Sequence, residues 1–163
     1  MKKRTKKYKP KAYSDIGGLA LIHKVLYNSQ NLSDDQLRDL GLANWASFTN
    51  LTTGNGTEDD WQAVTGALNM GAVLCERGVG SEYQDDLIKA LEEVFRARIR
   101  GRATGQWYIE EKYQYDVRDG LAIHDEQCKL ITRIEMINTI LDVQKRVALG
   151  NVYTMEPCNQ LQS

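Results

Sequence analysis

Residues 57–78 read TEDDWQAVTGALNMGAVLCERG, and this stretch decides the fold class. Thr57 offers a hydroxyl to the free N–H groups of a first helical turn, and Glu58, Asp59 and Asp60 suit the positive end of the helix dipole. Beyond them Trp61, Val64, Leu68, Ala72 and Val73 recur at helical spacing until Gly78 stops the run. Gly66 and Gly71 inside the run read either as points of close helix approach or as a bend.

The same grammar extends in both directions. Ser33 followed by Asp34-Asp35-Gln36 forms a capping box, in which the serine hydroxyl and the glutamine side chain each satisfy a backbone N–H of the first turn. That helix carries Leu37, Leu40, Trp45, Phe48 and Leu51, with Gly41 a candidate pause and Gly54-Asn55-Gly56 the stop. Upstream, Ser14 or Asp15 caps a helix over 16–28 bearing Ile16, Leu19, Ala20, Ile22, Val25 and Leu26. Gly17 and Gly18 weaken its first turn by roughly 1 kcal/mol each against alanine.

Downstream, Ser81 opens a helix with Leu87, Ile88, Leu91, Val94, Phe95 and Ile99, closed by Thr104-Gly105. Gln106 to Ile109 is the only segment with much strand character. A helix over 111–130 follows, with Val117, Leu121, His124 and Cys128 on one seam. Thr132-Arg133-Ile134-Glu135 is a capping box for a last helix, ending near Leu149, with Met136, Ile140, Val143 and Val147 on one face. The expected architecture is all-α: a single-domain helical bundle of five to six helices over 14–150. A flexible basic arm over 1–13 precedes it and a flexible polar tail over 151–163 follows.

Charge is distributed unevenly. The chain has 21 Lys and Arg against 22 Asp and Glu, for a net −1. Seven of those bases lie in residues 1–11, which hold no acid; the other 14 face all 22 acids and leave the body at −8. No apolar run approaches the roughly 20 residues of a membrane span, nor follows Met1-Lys2-Lys3-Arg4 as a signal peptide requires. Three scattered cysteines, Cys75, Cys128 and Cys158, read as reduced thiols. The expectation is a cytoplasmic protein that binds no membrane.

In the arm, Lys2, Lys3, Arg4, Lys6, Lys7, Lys9 and Lys11 suit phosphates or an acidic protein surface, and Tyr8 and Tyr13 suit base stacking. A second basic feature is the row Arg96, Arg98, Arg100 and Arg102. Helical spacing sets Arg96 with Arg100 on one face and Arg98 with Arg102 on another. The row also reads as dipole complementation plus ion pairs. His124-Asp125 is the only pairing with catalytic character, and its seam position marks His124 as a core residue. His124 and Cys128 fall short of the three or four ligands of a zinc site. No nucleophile or phosphate-loop motif occurs. The reading is therefore non-enzymatic, with no metal and no cofactor.

The arm around Lys7-Tyr8-Lys9-Pro10, together with Asn69, Gly78-Val79-Gly80, Glu82-Tyr83 and Leu121, Ile123, His124-Asp125 and Gln127, resembles a family of small accessory proteins of proteobacterial phages and prophages. The likeness covers the arm and roughly residues 45–148. It implies a phage or mobile-element protein in a bacterial cytoplasm. By context it implies a binder of a host protein or ribonucleoprotein complex, such as an inhibitor of CRISPR surveillance machinery. The alternative is a nucleic-acid-binding regulator using the arm and the arginine row.

Overall fold

A computed structural model describes residues 29–150. The arm, the helix expected over 16–28 and the tail from residue 151 lie outside the described residues. Within them are five α-helices: α1 (Asp34–Thr53), α2 (Glu58–Glu76), α3 (Gln84–Thr104), α4 (Gln114–Leu130) and α5 (Arg133–Ala148). Single 3-10 turns at Ser81–Tyr83 and Glu111–Tyr113 lead into α3 and α4. The fold is an all-α bundle, and no helix among the described residues is long and apolar enough to cross a membrane.

Caps set the boundaries. Ser33, Thr57 and Thr132 each accept a hydrogen bond from the N–H three residues on, and Gln36, Asp60 and Glu135 reach back to the cap. Satisfying two otherwise orphaned N–H groups per helix fixes where each one starts. Gly54 and Gly105, in left-handed conformation, end α1 and α3. Gly41 does not interrupt α1, which runs unbroken over 20 residues.

The helix α2 is the central element, packed against α1, α3, α4 and α5, while α3 also packs on α4 and α1 on α4. Leu51, Val64, Leu68, Leu87, Val94 and Leu121 are fully or almost fully buried in the main core. Gly71 is a point of close approach rather than a bend: a Cβ there would sit 3.0 Å from both Gln127 Oε1 and Leu87 Cδ2. Gly66 differs, with nothing within 4 Å of that position.

The expected strand character of 106–109 does not become a strand. Trp107 forms an isolated antiparallel bridge with Gly56, and the Ile109 N–H donates to Leu51 O at 3.0 Å. Among the described residues the segment has no neighbouring strand to ladder with. It is held instead by burial of Ile109 and by the Trp107 ring, which lies against Gly101 of α3, where a Cβ would collide with it.

Helix α5 rests on α2 through Met136, Thr139 and Val143. Its ion-paired flank ties to the end of α2: Arg146 grips Glu76 and Asp142, and Arg77 bonds Asp142 and Thr139. The face expected to be buried is only partly so, since Ile140 and Val147 stay exposed. The segment before α1 is pinned to the start of α5, where Arg133 N–H donates to Gln30 O at 3.0 Å and Asn31 bridges Thr132.

Candidate functional site

The arginine row divides as helical spacing dictates, and its two faces do different work. Glu93, fully buried on α3, receives Arg96 at 3.3 Å and Arg100 at 2.9 Å. Arg100 also bonds Glu110 and the Tyr108 carbonyl, and its guanidinium lies 4.7 Å from the Tyr108 ring centre. Arg96 stands over the Tyr113 ring at 4.9 Å. A buried carboxylate requires such compensation, so Arg96 and Arg100 hold the α3–α4 connection together. Sequence reading missed Glu93, because a glutamate beside another at Glu92 reads as solvated surface. The signal was the two arginines three and seven residues on.

Arg98 and Arg102 sit elsewhere. Both line an open groove of about 540 Å³ walled by α2 and α3, with Val143 and Val147 of α5 and Gly150 just beyond it also on its lining. Neither forms an ion pair among the described residues. The Arg98 guanidinium lies 5.6 Å from the Trp61 ring centre, a cation–π arrangement that orients it without neutralising it. Trp61 is fixed in turn: its indole N–H donates to Val94 O at 2.7 Å, and its ring meets Trp107 at 5.7 Å. Phe95 supplies a further apolar wall. Gly66, which carries no side chain, lines the groove on the α2 side together with Thr65, whose hydroxyl has no hydrogen-bond partner among the described residues. Glu58 is the groove's one acidic lining residue.

His124 lies on the seam expected for it and is fully buried. Cys128 Sγ is 3.6 Å from both ring nitrogens, and burial pushes that thiol up to about 12. Asp125 is 4.0 Å from His124 Nδ1 and accepts from the Trp45 indole at 2.7 Å. Burial raises the Asp125 carboxyl, but His124 and Trp45 outweigh it and hold the group below its ordinary value. The arrangement places the ring out of solvent and ties α4 to α1 through Trp45, a structural role. Gln127 donates to the carbonyls of Gly71 and Val79 and to Cys75 Sγ, which fastens the Gly78–Gly80 loop. Several residues that carry the sequence resemblance thus serve packing. Among the described residues no cluster of three or more His, Cys, Asp and Glu is placed to hold a metal ion.

The other expected contacts, Lys2, Lys3, Arg4, Lys6, Lys7, Tyr8, Lys9 and Lys11, lie outside the described residues. Comparison of the chain with protein-family models, with curated proteins and with solved structures finds no match, so the groove itself is what bears on function.

Proposed function

We propose that this chain is a non-enzymatic binding protein that takes an extended, anionic segment of a protein partner in the groove between α2 and α3. The observation that carries this reading is the pair Arg98 and Arg102, left without carboxylate partners beside Trp61 and Phe95. Cations without ion-pair partners beside aromatic walls reward an acidic side chain or a carboxylate, and Arg and Trp anchors dominate binding energy at protein interfaces. An open groove suits a chain laid along it. With the phage-like sequence pattern, the partner is a host protein or ribonucleoprotein, and a CRISPR surveillance complex is the first to try.

A second reading is favoured by the same stack: guanidinium, indole and phenyl groups in line also suit single-stranded nucleic acid. One experiment addresses both. Capture from bacterial lysate is run with wild type and with Arg98→Glu/Arg102→Glu, each with and without nuclease. A protein retained by wild type after nuclease and lost by the variant supports the proposal. Retention that depends on intact nucleic acid favours the second reading, and equal retention by both proteins removes the groove from either.

A further inference from the structure

The groove continues past its arginines. A second, smaller cavity of about 60 Å³ is lined by Ile88 of α3 and by Ala72 and Val73 of α2. Asn69, Leu91, Val143 and Val147 line both cavities, so the two adjoin. Helices α3 and α5 each pack on α2 and hardly on each other, and all three contribute to the lining of both cavities.

One stripe of α3 serves the two. Ile88, Leu91, Phe95, Arg98 and Arg102 follow one another at steps of three and four residues, the spacing of a single helix face, and each lines at least one of the cavities. The stripe is polarised, with three apolar side chains followed by two cations. Its surroundings keep the division. In the smaller cavity the charged lining residues are Glu76 and Arg146, which bond to each other at 2.7 Å and so offset one another. In the larger one Glu58 is the only acid against two arginines, so that end keeps a positive excess. A chain complementary to the whole groove is apolar at one end and acidic at the other.

Helical rise fixes the spacing. Measured along α3 from midway between Ile88 and Leu91, Phe95 lies about 8 Å away, Arg98 about 13 Å and Arg102 about 19 Å. An extended chain turns alternate side chains to one face, and offsets of two, four and six residues cover about 7, 13 and 20 Å. We propose that the groove reads an extended partner segment of the pattern apolar-x-apolar-x-acid-x-acid, with its apolar end at Ile88 and Phe95 and its carboxylates at Arg98 and Arg102. The order along α3 is set by the stripe, and the segment satisfies it in either chain direction. The motif rests on the proposed function and adds to it an apolar end, an order and a spacing.

Synthetic peptides test it on the full chain. The end-blocked peptides LSFSESE, the interleaved LSESFSE of the same composition and the acid-only SSSSESE, each also in reverse order, are titrated into isotope-labelled protein. The signals followed are the Trp61 indole N–H and the Ile88 and Val147 amides. LSFSESE or its reverse should move all three and bind at least about tenfold tighter than either control, as burial of two apolar side chains implies. Val147→Asp, at a position 54% exposed and so harmless to the core, should weaken that binding by at least about tenfold, and Arg98→Glu/Arg102→Glu should do the same. Equal binding of the acid-only peptide, or no effect of Val147→Asp, overturns the apolar end. Equal binding of the interleaved peptide overturns the order. Both of these results leave an acidic segment in the groove standing. Binding by none of the peptides overturns the motif alone, since capture from lysate does not depend on it. Binding that the arginine variant leaves intact overturns the motif and the proposed function together.

Discussion

Glu93 shows how a single residue commits its neighbours. Its carboxylate is buried and depends on Arg100, whose side chain is itself mostly covered. Arg100→Ala removes the closer partner and leaves Glu93 with Arg96 alone, so it should cost about 3 kcal/mol in urea unfolding, in line with breaking a buried ion pair. Arg102→Ala, with no such partner, should change stability by less than about 0.5 kcal/mol. His124→Ala should cost about 1–3 kcal/mol through loss of a buried polar contact. Asp125 carries a pH signature. Its folded-state value is depressed, because His124 and Trp45 outweigh burial. The associated stability is therefore fully present above the unfolded value near 3.9 and is lost as pH falls through the folded one. Trp45→Phe deletes the indole donor. Its destabilisation relative to wild type should be about 2 kcal/mol at pH 7 and shrink towards pH 2.

At the scale of the element, α2 carries two interior glycines with opposite surroundings. Gly66→Ala adds a methyl where nothing lies within 4 Å, so the helix-propensity gain of about 1 kcal/mol should appear as a higher melting temperature. Gly71→Ala drives a methyl towards Gln127 and Leu87, and crowding of about 1–3 kcal/mol should cancel or reverse the same gain. Thermal denaturation of the two variants side by side measures the difference. Equal shifts would mean that the α2–α4 contact yields more easily than its geometry indicates. The helix starts were legible in sequence because a capping box is local: Ser33, Thr57 and Thr132 need only a partner three residues away. The strand-like 106–109 forms no strand because a strand exists only by pairing, and Trp107 pairs with one residue.

The whole molecule joins an acidic helical body to a basic arm, with the groove near the end of α5. Deleting residues 1–11 should leave the melting temperature nearly unchanged, since those residues offer no apolar anchor. If a captured partner presents nucleic acid, affinity should fall with salt at a log–log slope of about −0.9 per phosphate neutralised on a duplex, and removing 1–11 should flatten that slope. If the partner is a protein, the association rate should fall most. Equal affinity and equal salt dependence for both chains would leave the arm without a part in binding.

Spacing alone determined the all-α class, the five described helices within a few residues of their ends, the seam that buries His124, and the split of the arginine row onto two faces. These follow from neighbours three and four residues apart, which a helix makes local. Only the tertiary structure decided which arginine face is engaged and which is open. Arg96 and Arg100 are engaged because Glu93 is buried beneath α4 and its approach. Arg98 and Arg102 are open because, among the described residues, the packing brings no carboxylate within ion-pair distance of them, although they line the groove beside Trp61 and Phe95. It also decided that Ile134, Ile137 and Leu141 stand uncovered while Met136 and Thr139 do not. Burial is a property of what packs against a residue, and packing partners distant in the chain leave no mark in local periodicity.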